Sequence, residues 1–194
     1  LCQLLGATAG AGAKTWKAYL STQGSAAVNA RDRVGTGPWK NAKGIIVAKD
    51  LAELHGANNI NKQTALTEKG ETFPTSGEQG NSHDILTGSD PQGMYSTAGG
   101  DTTCGNWTKS GDGSAIVGHV DRTGLGKTTR HMTSWNSAHG SRGCSPDQLK
   151  ASDAPLAAAL DQGVVWMAPP GLCRLCAGPF GQGDHLAIIG GIAL

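Results

Sequence analysis

Two cysteines set forty residues apart in similar surroundings constrain this chain more than any other feature. Cys104 lies in the run Asp-Thr-Thr-Cys-Gly-Asn-Trp-Thr (101–108), and Cys144 ends the run Ser-Trp-Asn-Ser-Ala-His-Gly-Ser-Arg-Gly-Cys (134–144). Glycine, asparagine, serine and tryptophan around these cysteines suggest a disulfide that staples a loop-rich fold rather than a catalytic pair. Because disulfides persist in oxidising compartments, the pattern favours a small exported binding module over a cytosolic enzyme.

The chain has five cysteines, so one stays unpaired if two disulfides form. Only Cys173 and Cys176 have the spacing of a metal-ligand pair, and no second pair in the sequence completes a zinc site. Export with two disulfides is therefore the better interpretation. The residues alone leave the connectivity of these disulfides open.

A length of 194 residues predicts one domain, and the composition predicts a thin core. Thirty glycines stand against five Trp, two Tyr and two Phe, which is typical of a few short elements joined by long irregular connections. The net charge is +1 at pH 7 with no polybasic run, so nothing in the sequence indicates binding to nucleic acid or to a membrane surface. The longest apolar stretches are too short to span a bilayer.

Short periodic segments separated by turn residues predict an α+β fold with a small antiparallel sheet, long loops and one or two short helices. Helices are predicted at 2–12 and 50–55 and, further on, at 155–160. Strands are predicted at 15–21, 44–48, 85–86, 103–107, 115–119 and 164–167, with a long polar loop at 56–82. The texture of the sequence changes near residue 152, so we expect one domain over 1–150 and a divergent tail over 151–194 that completes or extends it.

The order of several motifs resembles that of a known family. The opening run from Cys2 to Ser21, the turn Gly-Ser-Asp-Pro-Gln-Gly (88–93), the run Cys-Gly-Asn-Trp (104–107) and the later Cys144 follow one another as in endostatin-type domains. The chain is also similar to bacterial exported proteins that share this C-type-lectin-like fold and are often labelled lectins. The resemblance covers residues 2–150.

The resemblance implies a C-type-lectin-like fold with two nested disulfides. Carried over residue by residue, it pairs Cys104 with Cys144, and Cys2 with Cys173 or Cys176. The tail departs from the family, because Cys173 follows Cys144 by 29 residues where the family's last cysteine comes much sooner. The family also implies carbohydrate as the ligand class, glycans or envelope and matrix proteins as partners, and a secreted, periplasmic or cell-surface location.

A sugar-binding surface needs an aromatic face beside side chains that form hydrogen bonds. Trp39 follows glycine and proline in a predicted turn, so we expect it at the surface, whereas Trp16 and Trp107 are expected in the core. Trp135 and Asn136 resemble a fragment of a calcium-lectin motif, although a core tryptophan beside a turn-forming asparagine is the favoured alternative. The candidate ligand-binding residues are Trp39, Asp90, Asn106, Asp121, Trp135 and Asn136.

Two kinds of metal site are compatible with this sequence. Calcium, the candidate cofactor, needs about six to eight oxygen ligands, for which the chain offers Asp84, Asp90, Asp101, Asp112, Asp121, Asn106 and Asn136. Zinc would use imidazoles, and His119 and Asp121 lie on one face of a predicted strand, with His131 and His139 following. Solvated polar side chains are the more common explanation of such histidines.

No catalytic motif is present, since the sequence lacks Gly-x-Ser-x-Gly, His-Glu-x-x-His and Ser-x-x-Lys. His83 and Asp84 could orient an acid–base group, but capping of a strand is the more usual role of such a pair. We therefore expect an exported, non-catalytic ligand-binding module, with carbohydrate as its ligand. The alternatives are a structural or adhesive envelope protein and, less favoured, a metal-dependent hydrolase in which His119, Asp121 and His139 share one ion.

Overall fold

The computed structural model describes residues 2–8, 10, 12–13, 16–67, 70–72, 74–75, 77–79, 81, 83–123, 134–145, 148, 176–178 and 185–187. At 2, 4, 5, 176–178 and 185–187 it describes the backbone only. The fold over these ranges is α+β, with few helices and antiparallel sheets, as the sequence predicts. No helix in these ranges has the length and apolar character that a membrane crossing needs.

Short strands form three small antiparallel sheets in the described residues. In chain order the strands are β1 Lys17–Ala18, β2 Trp39–Lys40, β3 Ile46–Ala48, β4 Asp84–Leu86, β5 Ile116–His119, β6 His139–Gly140, β7 Cys176–Gly178 and β8 His185–Ala187. One sheet has the order β1-β7-β8, a second pairs β2 with β3, and the third has the order β4-β5-β6. The third sheet carries the candidate site, because its register sets Asp84 opposite His119 and Val117 opposite His139.

The helical elements are short: α1 Cys2–Thr8, a 3₁₀ helix Ala30–Arg33, α2 Leu51–Leu54 and a helical turn α3 Cys104–Trp107. α2 begins at a capping residue, since the carboxylate of Asp50 accepts a hydrogen bond from the Glu53 N–H at 2.8 Å. The predicted helices at 2–12 and 50–55 and strands at 15–21, 44–48, 85–86 and 115–119 are confirmed in type and place. Most of these elements are shorter than predicted.

The strand predicted at 103–107 is wrong, because α3 is a left-handed turn. All four of its residues have positive φ, between 50° and 67°. A non-glycine residue in this conformation costs about 1–2 kcal/mol, so the turn needs support from its surroundings. The Asp101 carboxylate accepts a hydrogen bond from the Gly105 N–H at 2.9 Å, and Thr103 Oγ accepts one from the Asn106 N–H at 3.0 Å.

The disulfide between Cys104 and Cys144 joins α3 to the segment that follows β6, and both cysteines are fully buried. This pairing confirms the one that the family resemblance implied. The second expected pairing, of Cys2 with Cys173 or Cys176, depends on residues and side chains outside the described set. Also outside it are His131, the helix predicted at 155–160 and the strand predicted at 164–167.

Within the described residues, a buried cluster forms the core around large aromatic and aliphatic side chains, including Tyr19, Trp39, Leu54, Ile85 and Trp135. Trp39 is 0% exposed and its indole N–H donates to the Val34 carbonyl at 3.1 Å, so the expected surface position is wrong. The glycine and proline before Trp39 set the path of the backbone. The side chain itself is buried because burying the indole gives a larger gain in free energy in a core that has few aromatic residues.

The other tryptophans divide between the core and its edge. Trp16 is buried, as expected. Trp135 is 2% exposed and its indole N–H donates to the Leu54 carbonyl at 2.9 Å, which confirms the core alternative for this residue. Trp107, expected in the core, is only partly buried, and its indole N–H donates to the Ser21 carbonyl at 2.8 Å.

Candidate metal centre

The antiparallel pairing of β4 with β5 brings a histidine and a carboxylate together on one face of the sheet. Asp84 begins β4 and His119 ends β5, and these two residues are direct cross-strand partners. Side chains opposite one another in an antiparallel pair project to the same face and lie within contact distance. The distance between His119 Nε2 and Asp84 Oδ1 is accordingly 3.2 Å.

His83, which directly precedes β4, adds a second imidazole to this pair. Its Nε2 lies 3.4 Å from Asp84 Oδ1, and its ring stacks on that of His119 with the centroids 4.3 Å apart. All three residues are buried, and they are the one group of three or more possible metal ligands found among the described residues. His83 and Asp84 therefore belong to the centre of the site and not merely to a strand end.

Asp121 orients the His83 ring from the side opposite Asp84. His83 Nδ1 lies 2.9 and 3.0 Å from the two Asp121 carboxylate oxygens. Since a carboxylate accepts, Nδ1 carries the hydrogen, and the lone pair of the neutral ring is on Nε2, the atom near Asp84. A carboxylate bonded to the far nitrogen of a histidine is typical of metal-binding histidines.

His139 approaches the same carboxylate from β6. Its Nε2 lies 3.8 Å from Asp84 Oδ2, and its ring meets that of His119 edge-on with centroids 5.0 Å apart. The His139 side chain is 33% exposed, against 4% for that of His119. The donors thus come from all three strands of this sheet and from His83, which directly precedes β4. His139 is the donor on the solvent side.

Three buried atoms at the centre make no hydrogen bond: Asp84 Oδ1, His119 Nδ1 and His119 Nε2. Asp84 Oδ1 and His119 Nε2 are 3.2 Å apart, yet their orientation does not form a hydrogen bond. Buried polar atoms in folded proteins nearly always have a partner, so each exception needs an explanation. Two ligands of the same metal ion show this arrangement: their donor atoms lie close together but do not form a hydrogen bond with each other.

The electrostatics of the centre are dominated by its buried carboxylates. Burial disfavours the charged form of the His119 ring, but the Asp84 carboxylate outweighs this effect and raises the pKa of His119 above 6.5. Within the described residues, the groups within 4 Å of the Asp84 carboxylate that are able to carry a positive charge are the imidazoles of His83, His119 and His139. A positive charge at this place is therefore favoured.

The six residues nominated for ligand binding do not form one surface. Trp39 and Trp135 are in the core, and Asn136 is 1% exposed, with its Nδ2 donating to Tyr19 Oη and to the Asp90 carbonyl. The Asp90 carboxylate accepts from backbone N–H groups within its own turn. Asn106 is exposed and bonds the backbone of Gln23, and Asp121 lies at the histidine cluster.

The carboxylates considered as calcium ligands are likewise used in separate places. The Asp101 carboxylate bonds Lys109 Nζ at 2.8 Å and supports α3, and that of Asp112 accepts from the Gln148 side chain at 3.3 Å. Of the acidic residues nominated, Asp84 and Asp121 reach the histidine cluster. Among the described residues, two carboxylates converge there, fewer than the roughly six to eight oxygen ligands that calcium takes.

The sequence predicted some residues of this centre but not the contact between Asp84 and His119 on which it is built. His119, Asp121 and His139 were candidates for a shared ion, and all three lie at the cluster. Asp84 was a candidate only as a calcium ligand, and His83 and Asp84 together were expected to cap a strand, although an antiparallel register between the predicted strands at 85–86 and 115–119 sets Asp84 opposite His119. The signal was therefore the register of two strands rather than a sequence motif.

The chain was compared with protein-family models, with curated proteins and with solved structures, and no match was found.

Proposed function

We propose that this chain is an exported, disulfide-stapled module that binds a zinc-class metal ion through His83, Asp84 and His119. The observation that carries the proposal is the set of buried donor atoms without hydrogen bonds at Asp84 and His119. An unpaired buried carboxylate oxygen is costly, whereas a bound cation would satisfy it and both imidazoles together.

The spacing of the donors supports a small tetrahedral ion. Donors bound at about 2.0–2.1 Å from such an ion lie about 3.3–3.4 Å from one another. The two separations from Asp84 Oδ1, 3.4 Å to His83 Nε2 and 3.2 Å to His119 Nε2, are close to this value. The ring stack needs one change, because parallel imidazoles cannot aim their lone pairs at one point. His119 is the ring that turns, since neither of its nitrogens forms a hydrogen bond of good geometry, whereas Asp121 fixes His83.

The donor types favour zinc over calcium. Imidazole nitrogen suits zinc and its neighbours in the first transition series, whereas calcium takes oxygen ligands. Carbohydrate is not proposed as the ligand, because Trp39 and Trp135 are buried and cannot stack on a sugar ring. The C-type-lectin-like fold and the exported location stay part of the proposal. The disulfide between Cys104 and Cys144 supports the exported location, and the fold rests on the order of motifs that resembles the family.

Calorimetric titration of the oxidised protein, freed of metal by a chelator, tests the proposal. We expect one Zn²⁺ per chain and no heat from Ca²⁺. Asp84→Asn and His119→Ala should each lower the Zn²⁺ affinity at least about 100-fold, because a direct ligand matters more than the outer partners whose loss costs about 10–100-fold. His55→Gln is the matched control, since it removes an imidazole that bonds Tyr19 and Leu51 instead of the cluster. Undiminished binding in both ligand variants would refute the proposed site.

A further inference from the structure

We propose that His139 is the fourth ligand, so that the ion closes a structural site and clips β4, β5 and β6 together rather than keeping a position open for catalysis. This inference rests on the proposed metal binding. Structural zinc sites have four protein ligands, whereas catalytic sites have three and a water molecule or substrate. The role of His139 therefore decides between a structural centre and the hydrolase considered from the sequence.

The tautomer of His139 is set for a ligand at Nε2. Its Nδ1 lies 3.0 Å from the Gly140 carbonyl, and a carbonyl oxygen can only accept, so Nδ1 carries the hydrogen of the neutral ring. Nε2 then holds the lone pair, and it is the atom 3.8 Å from Asp84 Oδ2. His83 has the same arrangement, with Nδ1 bonded to Asp121 and Nε2 near Asp84. The two rings present equivalent nitrogens to one carboxylate.

His139 has to move toward the other donors before it can share their ion. Its Nε2 lies 3.8 Å from Asp84 Oδ2, whereas His83 and His119 approach Asp84 Oδ1, and His139 stands outside the group of donors that all lie within 4.8 Å of one another. His139 lies on the edge strand and is one-third exposed, so its ring has room to turn. The inference requires the His139 side chain to turn toward Asp84 Oδ1 when the ion binds, while His139 keeps its pairing with Val117.

An ion held by His139 would add a fastening to the segment 134–145. β6 has only two residues, and this segment is attached to β5 by backbone hydrogen bonds and to α3 by the disulfide at Cys144. His139 lies near the middle of the segment, five residues before Cys144, so the ion would add a second clamp there. Metal binding of this kind contributes directly to folding.

The test uses the oxidised protein loaded with Co²⁺, whose visible spectrum reports the ligands, and azide as a probe of an open position. We expect the wild-type spectrum to be unchanged by azide. His139→Ala should still bind Co²⁺, at least about tenfold more weakly, and its spectrum should change when azide or imidazole is added, with imidazole restoring the wild-type spectrum. His55→Gln should behave as wild type, and far-ultraviolet circular dichroism checks that each variant is folded.

Two results would overturn the inference and leave the proposed metal binding intact. One is a wild-type spectrum that responds to azide as that of His139→Ala does. The other is a His139→Ala variant with wild-type affinity and no response to azide or imidazole. Failure of the wild-type protein to bind either Zn²⁺ or Co²⁺ would instead refute the metal site itself. If His139→Ala does not fold, His139→Gln with the same azide titration decides the question.

Discussion

Gly118 allows the segment that carries His139 to lie close to β5, and replacing this glycine with alanine should strongly destabilise the fold. A Cβ atom at this position would lie 1.9 Å from the Trp135 carbonyl oxygen and 2.4 Å from the Asn136 Cα. Both are backbone atoms, so no side-chain rotation relieves the clash. The segment would have to move away by about 1.5 Å (3.4 − 1.9) before contact became ordinary.

A displacement of that size breaks identifiable interactions. The His119 N–H donates to the Ser134 carbonyl at 3.2 Å and the Ala138 N–H to the Val117 carbonyl at 2.6 Å, and neither hydrogen bond survives such a shift. Each contributes about 1 kcal/mol, and overpacking of a core costs about 1–3 kcal/mol. Gly118→Ala should therefore lower the free energy of unfolding by about 3–5 kcal/mol, a large part of the stability of a typical domain.

Urea unfolding of the oxidised protein, followed by tryptophan fluorescence, measures this loss because Trp135 adjoins the perturbed site. Gly140→Ala is the matched control in the same sheet: its Cβ would meet only the Ser114 hydroxyl oxygen, which can rotate away at the loss of its hydrogen bond to the Ser141 carbonyl. We expect the control to lose about 1 kcal/mol, the contribution of that one hydrogen bond. A Gly118→Ala variant as stable as the wild type, or a control that is equally damaged, would refute the packing argument.

Three further predictions concern the staple, the site and the response to pH. Replacing Cys104 and Cys144 together with serine should lower the free energy of unfolding by about 4 kcal/mol, the loop-closure value for the 40-residue separation, and an unchanged urea midpoint would contradict this. Asp121→Asn should weaken Zn²⁺ binding about 10–100-fold in a calorimetric titration because it removes the partner that orients His83, whereas wild-type affinity would show that this partner is dispensable. Burial lowers the pKa of the folded-state His55 below 6.5, the value of an ordinary histidine. The stability that neutral His55 contributes should therefore be complete above pH 6.5 and should be lost as the pH falls from 6.5 through the folded-state pKa. His55→Gln should flatten the dependence of the urea midpoint on pH below 6.5, and a variant with the wild-type profile would exclude His55 as its source.

Local features of the sequence predicted the elements whose residues decide their own conformation. The Asp50 cap marks the start of α2, and alternating and β-branched residues mark β5. The prediction of a strand at 103–107 was wrong because the side chains of Asp101 and Thr103 hold this segment in a left-handed turn. Their hydrogen bonds to the backbone compete with the pairing that a strand would need. The prediction that Trp39 lies at the surface was wrong for a related reason: turn residues determine the direction of the chain but not the burial of the side chain that follows.

The sequence by itself determined the α+β class, and the similar surroundings of Cys104 and Cys144 identified them as the two residues of a disulfide. The sequence proposed His119, Asp121 and His139 as ligands of one ion, but the tertiary structure decided which donors meet at the histidine cluster. Its donors are scattered between residues 83 and 139, and they meet because β4 pairs with β5 in the one register that sets Asp84 opposite His119. A slip of one residue would turn each side chain of a strand to the other face of the sheet, so the pairing partners, and not the residue types, create the site.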